Sequence, residues 1–322
     1  MNKKNNSNTV EKKSNSNRVV IGVVIVCTII SLVFLFLLFN IDSQSTLPLM
    51  DTPQIETIST ISDPMESYID DLSNTHTIKV QTTHYLDFYL TPDDVVRINQ
   101  NLSFVDGVRI DLNESTKENL IPDILRTDNS VVIYPVFTSA AYNVPGFYTY
   151  FAGRCDESCV TDVTFENPEF QFTSSGASAQ ILYHAGYDFL TDVQVDRNPE
   201  ILENYDTVIL LHNEYVTQTQ FDVISTHPNL IFLHPNALYA LVTADYENNT
   251  ITLIRGHDYP PENPVSNAFD YEIEKEFHKH EYDTKCEDWK FIEVENGFHL
   301  NCYPETVLGD GVLDILKKLP DL

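Results

Sequence analysis

The chain has 322 residues and carries 48 Asp and Glu against 19 Lys and Arg, a formal net charge of −29. Such an acidic excess repels a phosphate backbone and excludes a general nucleic-acid binder. Hydrophobic residues make up 42% of the chain, enough for a buried core, and only 10 glycines leave no room for a glycine-rich repeat fold.

Residues 1–18 are short and basic: Lys3, Lys4, Lys12, Lys13 and Arg18 outnumber the single Glu11. Val19 to Phe39 comes next, without a charged residue. As a helix at ~1.5 Å per residue this run reaches ~31 Å, the thickness of a hydrocarbon core. The positive-inside rule then predicts a single-pass anchor with residues 1–18 in the cytoplasm and the chain beyond Phe39 outside the cell membrane. A buried soluble helix and a cleaved signal peptide are the rival readings. A signal peptide has a shorter apolar region and a small-x-small cleavage site, and Asn40-Ile41-Asp42-Ser43 is a poor one. Residues 40–75 are rich in Ser, Thr, Asp and Pro and read as a stalk, with a short helix around Met65–Leu72.

Residues 76–170 read as a β-rich segment, either a small β-sandwich or an elaborated edge of the layer formed by residues 171–257. His76–Thr83 alternates, with Ile78 and Val80 on one face. Thr91-Pro92-Asp93-Asp94 has the composition of a helix start, a helix that would run to Asn99. Ser130–Phe137, Phe147–Ala152 and Val160–Phe165 are predicted strands.

Residues 171–257 change rhythm to an α/β core. A helix over Ser175–Ala185 ends at Gly186, a strand covers Phe189–Val195, and Pro199–Glu203 makes a helical turn. Thr207–Leu211 is a fully apolar strand of the parallel, twice-covered kind. A helix over Thr217–Ser225, a strand over Leu230–Leu233 and a hairpin of Leu238–Tyr246 with Thr250–Arg255 complete the layer. This alternation predicts an α/β fold with a parallel core and an antiparallel edge. Residues 258–322 form an acidic extension with a hairpin, Trp289–Glu295 and Phe298–Tyr303, and a final helix over Gly311–Lys318.

Cys27 sits inside the apolar run. The other four cysteines, Cys155, Cys159, Cys286 and Cys302, all fall on the predicted outer side, and their even number suits disulfides. Of three connectivities, local pairing is expected, Cys155 with Cys159 and Cys286 with Cys302. The second pair would close a loop of about 15 residues, worth ~3 kcal/mol in the chain-entropy model. A two-residue turn at Asn296-Gly297 would set Cys302 opposite Phe291, so the chain before Trp289 must fold back. Four cysteines also raise a zinc site, but their spacing is not a usual zinc spacing. Asn101, Asn113 and Asn248 open glycosylation sequons.

Three predicted strands end in chemistry-bearing residues. Thr207–Leu211 runs into His212-Asn213-Glu214-Tyr215, Leu230–Leu233 into His234-Pro235-Asn236, and Thr250–Arg255 into Gly256-His257. Ligands of open α/β sheets bind at the carboxyl ends of the strands, so these residues are candidates to share one rim. Imidazoles and a carboxylate suit iron or zinc, a non-metal polar pocket, or plain hydrogen bonding to loops. No cofactor is expected, with iron or zinc as the alternative. His278-Lys279-His280-Glu281, set among Glu272, Glu274 and Glu276, reads as a solvated charged loop. A 12-residue Ca²⁺ loop, a G-x-S-x-G elbow and phosphate-binding glycine loops are missing, and no Cys lies in 160–285.

Tyr205-Asp206-Thr207-Val208-Ile209-Leu210-Leu211-His212-Asn213-Glu214-Tyr215-Val216-Thr217 resembles the YD, apolar strand, H-x-E-Y-W-T/S stretch of the class I glutamine amidotransferase-like superfamily. Within it the sequence is similar to the C-terminal domain of the N,N-dimethylformamidase large subunit, whose N-G-x-Y/W turn is matched by Asn236-Ala237-Leu238-Tyr239. The stretch, with Asn-Gly-Phe near Asn296 and Asn301-Cys302-Tyr303-Pro304-Glu305, also resembles a group of membrane-anchored archaeal proteins. Val216 stands where the branch has Trp, and His227-Pro228-Asn229 replaces its Gly-Gly turn. The amidotransferase nucleophile is a Cys at a strand end, and this chain has none there, which argues against glutamine hydrolysis by that route. Formamidases of the branch hold iron with Tyr and Glu, for which Tyr215, Glu214 and Tyr239 are the counterparts here. The resemblance implies a flavodoxin-like or amidotransferase-like core. Together the readings give a membrane-anchored, non-catalytic outer module binding a small molecule or a cell-surface protein, or alternatively a metal-assisted hydrolase of amide bonds.

Overall fold

A computed structural model describes residues 78–90, 95–99, 102–105, 108–166, 174–269, 286–302, 304–306 and 311–322. All belong to the unit Thr57–Leu322. The predicted tail, membrane run, stalk and 65–72 helix, Asn101 and the 272–281 acidic loop lie outside them. Among the described residues no helix is long and apolar enough to cross a membrane.

The chain begins with β1 (Ile78–Thr82) and β2 (Leu86–Leu90), then β3 (Val95–Asn99) and β4 (Leu102–Val105), and β5 (Arg109–Leu112). β1, β2 and β5 form an antiparallel sheet, and among the described residues β3 pairs only with β4. Two expectations change here. Val95–Asn99 is a strand, not a helix: Val95, Val96 and Ile98 are β-branched, and the turn to β4 comes at once. β1 does form, but Ile78 and Val80 stay 63% and 52% exposed.

Next come α1 (Glu114–Ile124), β6 (Ser130–Tyr134), α2 (Val136–Tyr142), α3 (Phe147–Phe151) and the short β7 (Val163–Thr164). The predicted strand through Phe137 stops at Tyr134, because Pro135 has no N–H to continue a ladder. The aromatic content of Phe147–Ala152 predicts a strand, but the segment is helical instead. Gly146 donates its N–H to Thr149 Oγ1 at 3.1 Å and opens that helix.

The α/β alternation continues with α4 (Gly176–Ala185), β8 (Asp188–Thr191), α5 (Asp192–Arg197), β9 (Thr207–Leu210), β10 (Tyr215–Val216), α6 (Gln218–Ser225) and β11 (Leu230–Phe232). Gly186 adopts φ +96° and ends α4 as a left-handed cap. The strand expected to reach Val195 ends at Thr191, where Thr191 Oγ1 accepts from Gln194 N at 3.1 Å and Gln194 Oε1 accepts from Thr191 N at 2.8 Å. That reciprocal box starts α5. The hairpin β12 (Ala240–Asp245) and β13 (Thr250–Arg255), the hairpin β14 (Phe291–Val294) and β15 (Gly297–Leu300), and α7 (Gly311–Leu316) complete the described chain.

The fold is mixed α/β. Its main sheet runs β14-β15-β11-β9-β6-β8, parallel except for the β14 edge. β6 lies inside this sheet, so the segment read as β-rich supplies one of its central strands. A second sheet, β10-β12-β13-β7, is antiparallel except at β10–β12. Alternation along the main strands feeds two cores. Val132, Tyr134, Ile209, Leu211, Ile231 and Leu233 pack with α4 and α7 on one side. Val131, Ile133, Val208, Leu210, Leu230 and Phe232 pack with Leu202, Ile224 and Phe269 on the other.

Cys155–Cys159 and Cys286–Cys302 stand at disulfide distance, with Cα separations of 6.0 and 5.8 Å. The register Val294↔Gly297 makes Glu295-Asn296 the turn rather than Asn296-Gly297. The chain still folds back before Trp289, and Cys286 sits at φ +46°. Both described sequon nitrogens are engaged: Asn113 donates its amide to the His84 carbonyl at 2.8 Å, and Asn248, in the exposed β12–β13 turn, donates to Asp245 Oδ2 at 2.7 Å.

Gly297 begins the strand that docks on β11, and a Cβ there would overlap the backbone carbonyl of Leu230. Gly297→Ala is therefore expected to separate β15 from β11 and lower the thermal midpoint by several degrees, read by circular dichroism. An unchanged midpoint would show that the close approach is not required.

Candidate functional site

Three predicted strand ends do meet. Glu214, wholly buried after β9, receives His257 Nε2 at 2.7 Å from Oε1 and His212 Nε2 at 3.2 Å from Oε2. Both approaches are close, but neither is a well-aligned hydrogen bond. His234 does not join the carboxylate. It stacks on His212, ring centroids 3.5 Å apart, and its Nδ1 accepts the Asn236 N–H at 3.1 Å. Asn213 is fully buried, and its side-chain amide finds no partner among the described residues. Tyr215 is buried edge-on to Phe147. Tyr239 lies 4.7 Å from the His257 ring and shares a hydrogen bond with Ser266, which takes its hydroxyl away from Glu214.

The loops are fixed by backbone accounting. Glu214 N and Tyr215 N both donate to Thr138 Oγ1 of α2, at 2.9 and 3.1 Å. Tyr239 N and Ala240 N both donate to the Glu214 carbonyl, and Leu238 N to that of Asn213. Asp192 Oδ2 accepts the Phe137 N–H at 3.0 Å, steadying the residue before Thr138, and burial pushes its carboxyl up to about 8. Gly256 at φ +119° lets β13 pass Ala240, where a Cβ would collide, and delivers His257. His257 and Leu238 themselves hold left-handed φ of +55° and +58°. Such conformations cost roughly 1–3 kcal/mol each and cluster at functional sites.

Sequence reading missed the other wall of the site. Tyr148 of α3 donates to Glu214 Oε1 at 3.3 Å, and its hydroxyl lies 2.8 Å from that of Tyr142. Since the Tyr148 proton points at Glu214, Tyr142 donates to Tyr148. Ser174 Oγ sits 2.5 Å from His212 Nδ1, and Ser175 Oγ accepts the His212 N–H at 3.0 Å. The signals were weak: two tyrosines in a stretch that reads as strand, and two serines before a helix.

Burial alone would push the Glu214 carboxyl up, but the charges and hydrogen bonds of His212 and His257 outweigh it and hold it well below the usual range. Burial first, and the Glu214 charge second, push the phenols of Tyr142, Tyr148 and Tyr215 up. They stay protonated, and Tyr142 and Tyr148 serve as donors. Burial, then His212, drives His234 well below its ordinary value, so it is neutral.

A carboxylate facing two imidazole Nε2 atoms favours the Nε2–H tautomer in each, so a neutral imidazole here presents its Nδ1 lone pair and a protonated one is stabilised by the carboxylate. This arrangement stabilises an imidazolium and suits proton transfer. Among the described residues no three His, Cys, Asp or Glu side chains are arranged to hold an ion. His212 and His257 meet the carboxylate oxygens directly, and Tyr239 is turned to Ser266. Two clefts of about 130 and 200 Å³ lie at the amino ends of the parallel strands, around Arg126 and Asp128, away from this cluster.

The folded carboxyl lies below its ordinary 4.5, so its stabilising contribution is complete above that pH and is lost as pH falls through the folded value. Glu214→Gln is expected to cost on the order of 3 kcal/mol at neutral pH. The gap to wild type should shrink below pH 4.5, measured by urea unfolding across pH. A pH-independent gap would contradict an ionised Glu214.

Compared with known families and proteins, the chain matches no family model and no curated protein.

Proposed function

We propose that the chain is a membrane-anchored, extracytoplasmic hydrolase of small amides, with an amidotransferase-like core and Glu214 at its reactive centre. The observation that carries the reading is a wholly buried carboxylate held between His212 and His257 at the carboxyl end of the central parallel strand. A desolvated charge held in such a place is what catalytic sites maintain and folding alone disfavours. In this reading an imidazole takes the proton of the attacking group, Glu214 stabilises the imidazolium, and the same proton passes to the leaving nitrogen. The amide class follows from the resemblance of 205–217 and 230–239, and no step is routed through a metal. The anchor and outward orientation rest on the basic tail and the uncharged run Val19–Phe39.

A second reading is a module that binds a small molecule or a cell-surface protein without chemistry. The enclosure of Asn213 and Glu214, both at 0% exposure, favours it.

Hydrolysis of a panel of short-acyl p-nitroanilides and p-nitrophenyl esters by the full chain in detergent separates the two. The hydrolase reading predicts turnover that falls at least ~100-fold in kcat/KM in Glu214→Gln, the scale of lost acid–base catalysis. Turnover equal in wild type and variant, or none, would leave the binding module.

A further inference from the structure

We infer that Ser174 is the nucleophile of this site, the outer end of a Ser174–His212–Glu214 relay in an acyl-transfer hydrolase. The inference rests on the hydrolase reading above and adds a residue that sequence motifs do not mark, since no G-x-S-x-G elbow surrounds it.

The geometry supplies each role such a relay needs. Ser174 Oγ lies 2.5 Å from His212 Nδ1, and His212 Nε2 lies 3.2 Å from Glu214 Oε2. Glu214 Oε2 faces His212 Nε2 without a well-aligned hydrogen bond, and its charge favours the Nε2–H tautomer, in which Nδ1 accepts the serine proton. The imidazole is stacked on one face by His234 and met edge-on by Tyr142 at 5.5 Å between centroids, while the His212 backbone N–H bonds Ser175 Oγ. Exposure is graded along the relay: Glu214 and His212 are buried at 0% and 3%, while Ser174 is half-buried. The reactive end is thus the end a substrate can reach.

Ser174 also stands two residues before α4, a helix of 10 residues with Ser175 at its N-cap position. Ser178 N is taken by Glu305 Oε1 and Ala179 N by the Ser175 carbonyl. The N–H groups of Gly176 and Ala177 have no carbonyl four residues back within the helix. They are the donors assigned to an oxyanion developing beside Ser174.

The step balances without a cofactor. Ser174 Oγ bonds to the acyl carbon as its proton passes to His212 Nδ1. The carbonyl π pair moves to oxygen, then returns as the C–N bond breaks, and the departing nitrogen takes the proton from His212. Water then gives its proton to Nδ1 and bonds to the acyl carbon. The acyl–Oγ bond breaks, and Ser174 recovers the proton.

The test is covalent labelling of the full chain in detergent with a fluorophosphonate, followed by peptide mass mapping. A single adduct on Ser174 is expected, with its rate at least 100-fold lower in His212→Ala. No adduct on Ser174, or one that forms equally fast in His212→Ala, overturns the inference. Ser174→Ala, checked for an unchanged melting curve, separates this from the reading beneath it. Glu214-dependent turnover that survives in Ser174→Ala overturns the nucleophile and keeps the hydrolase. Loss of both adduct and Glu214-dependent turnover in wild type removes both.

Discussion

A negative charge with no access to water is the constraint around which this protein is arranged. Glu214 is fully buried, and an isolated carboxylate in that position would take up a proton instead of remaining charged. It stays ionised because two imidazoles and a phenol converge on it from three separate segments, after β9, after β13 and on α3. Each partner is in turn held by something else: His212 by His234 and the 174–175 serines, His257 by Gly256 and its bond to the Ser266 carbonyl, Tyr148 by Tyr142. Replacing the cluster by apolar side chains of similar volume would be neutral or stabilising by the usual balance of buried ion pairs. Stability alone therefore gives no reason to keep it.

The position of the cluster follows from the sheet. The parallel strands β6, β9 and β11 are buried along their whole length, so most of their side chains are committed to two cores. Polar chemistry is displaced to the strand ends, where loops leave the layer. At the carboxyl ends those loops are long enough to fold over one another. The 236–240 turn lies across 213–214 through three backbone hydrogen bonds, and Thr138 of α2 takes two more from the other side. The left-handed residues Leu238 and His257 fall in these crossings, where the chain turns most sharply.

How much of this the sequence carried depends on the range of the interaction. Fully apolar runs such as Thr207–Leu210 and Leu230–Phe232 declare twice-covered strands, and His212-x-Glu214 at a strand end declares a site. Thr217-x-x-Gln220 reads as a helix start because a helical stretch comes after it. The same box at Thr191-x-x-Gln194 was hidden by a β-like run on either side. Phe147–Phe151 misled for a related reason: aromatic content favours strands, but its helix is set by packing against Tyr215 and by the Gly146–Thr149 contact. Val95–Asn99 shows the reverse, with cap-like residues before a β-branched strand. Ser174 and Tyr148 were illegible as site residues because their partners lie 38 and 66 positions away, and nothing local distinguishes either side chain.

The most direct measurement is a pH titration of the Glu214 side-chain carboxyl by ¹³C NMR, assigned with Glu214→Gln. An ionised carboxylate bracketed by two imidazoles predicts a shift that stays at the carboxylate value at neutral pH and down through pH 4.5 for as long as the fold persists. A carboxyl that titrates above 4.5 would mean a protonated Glu214 at the centre of the cluster, and would contradict both the electrostatic account and the chemistry built on it.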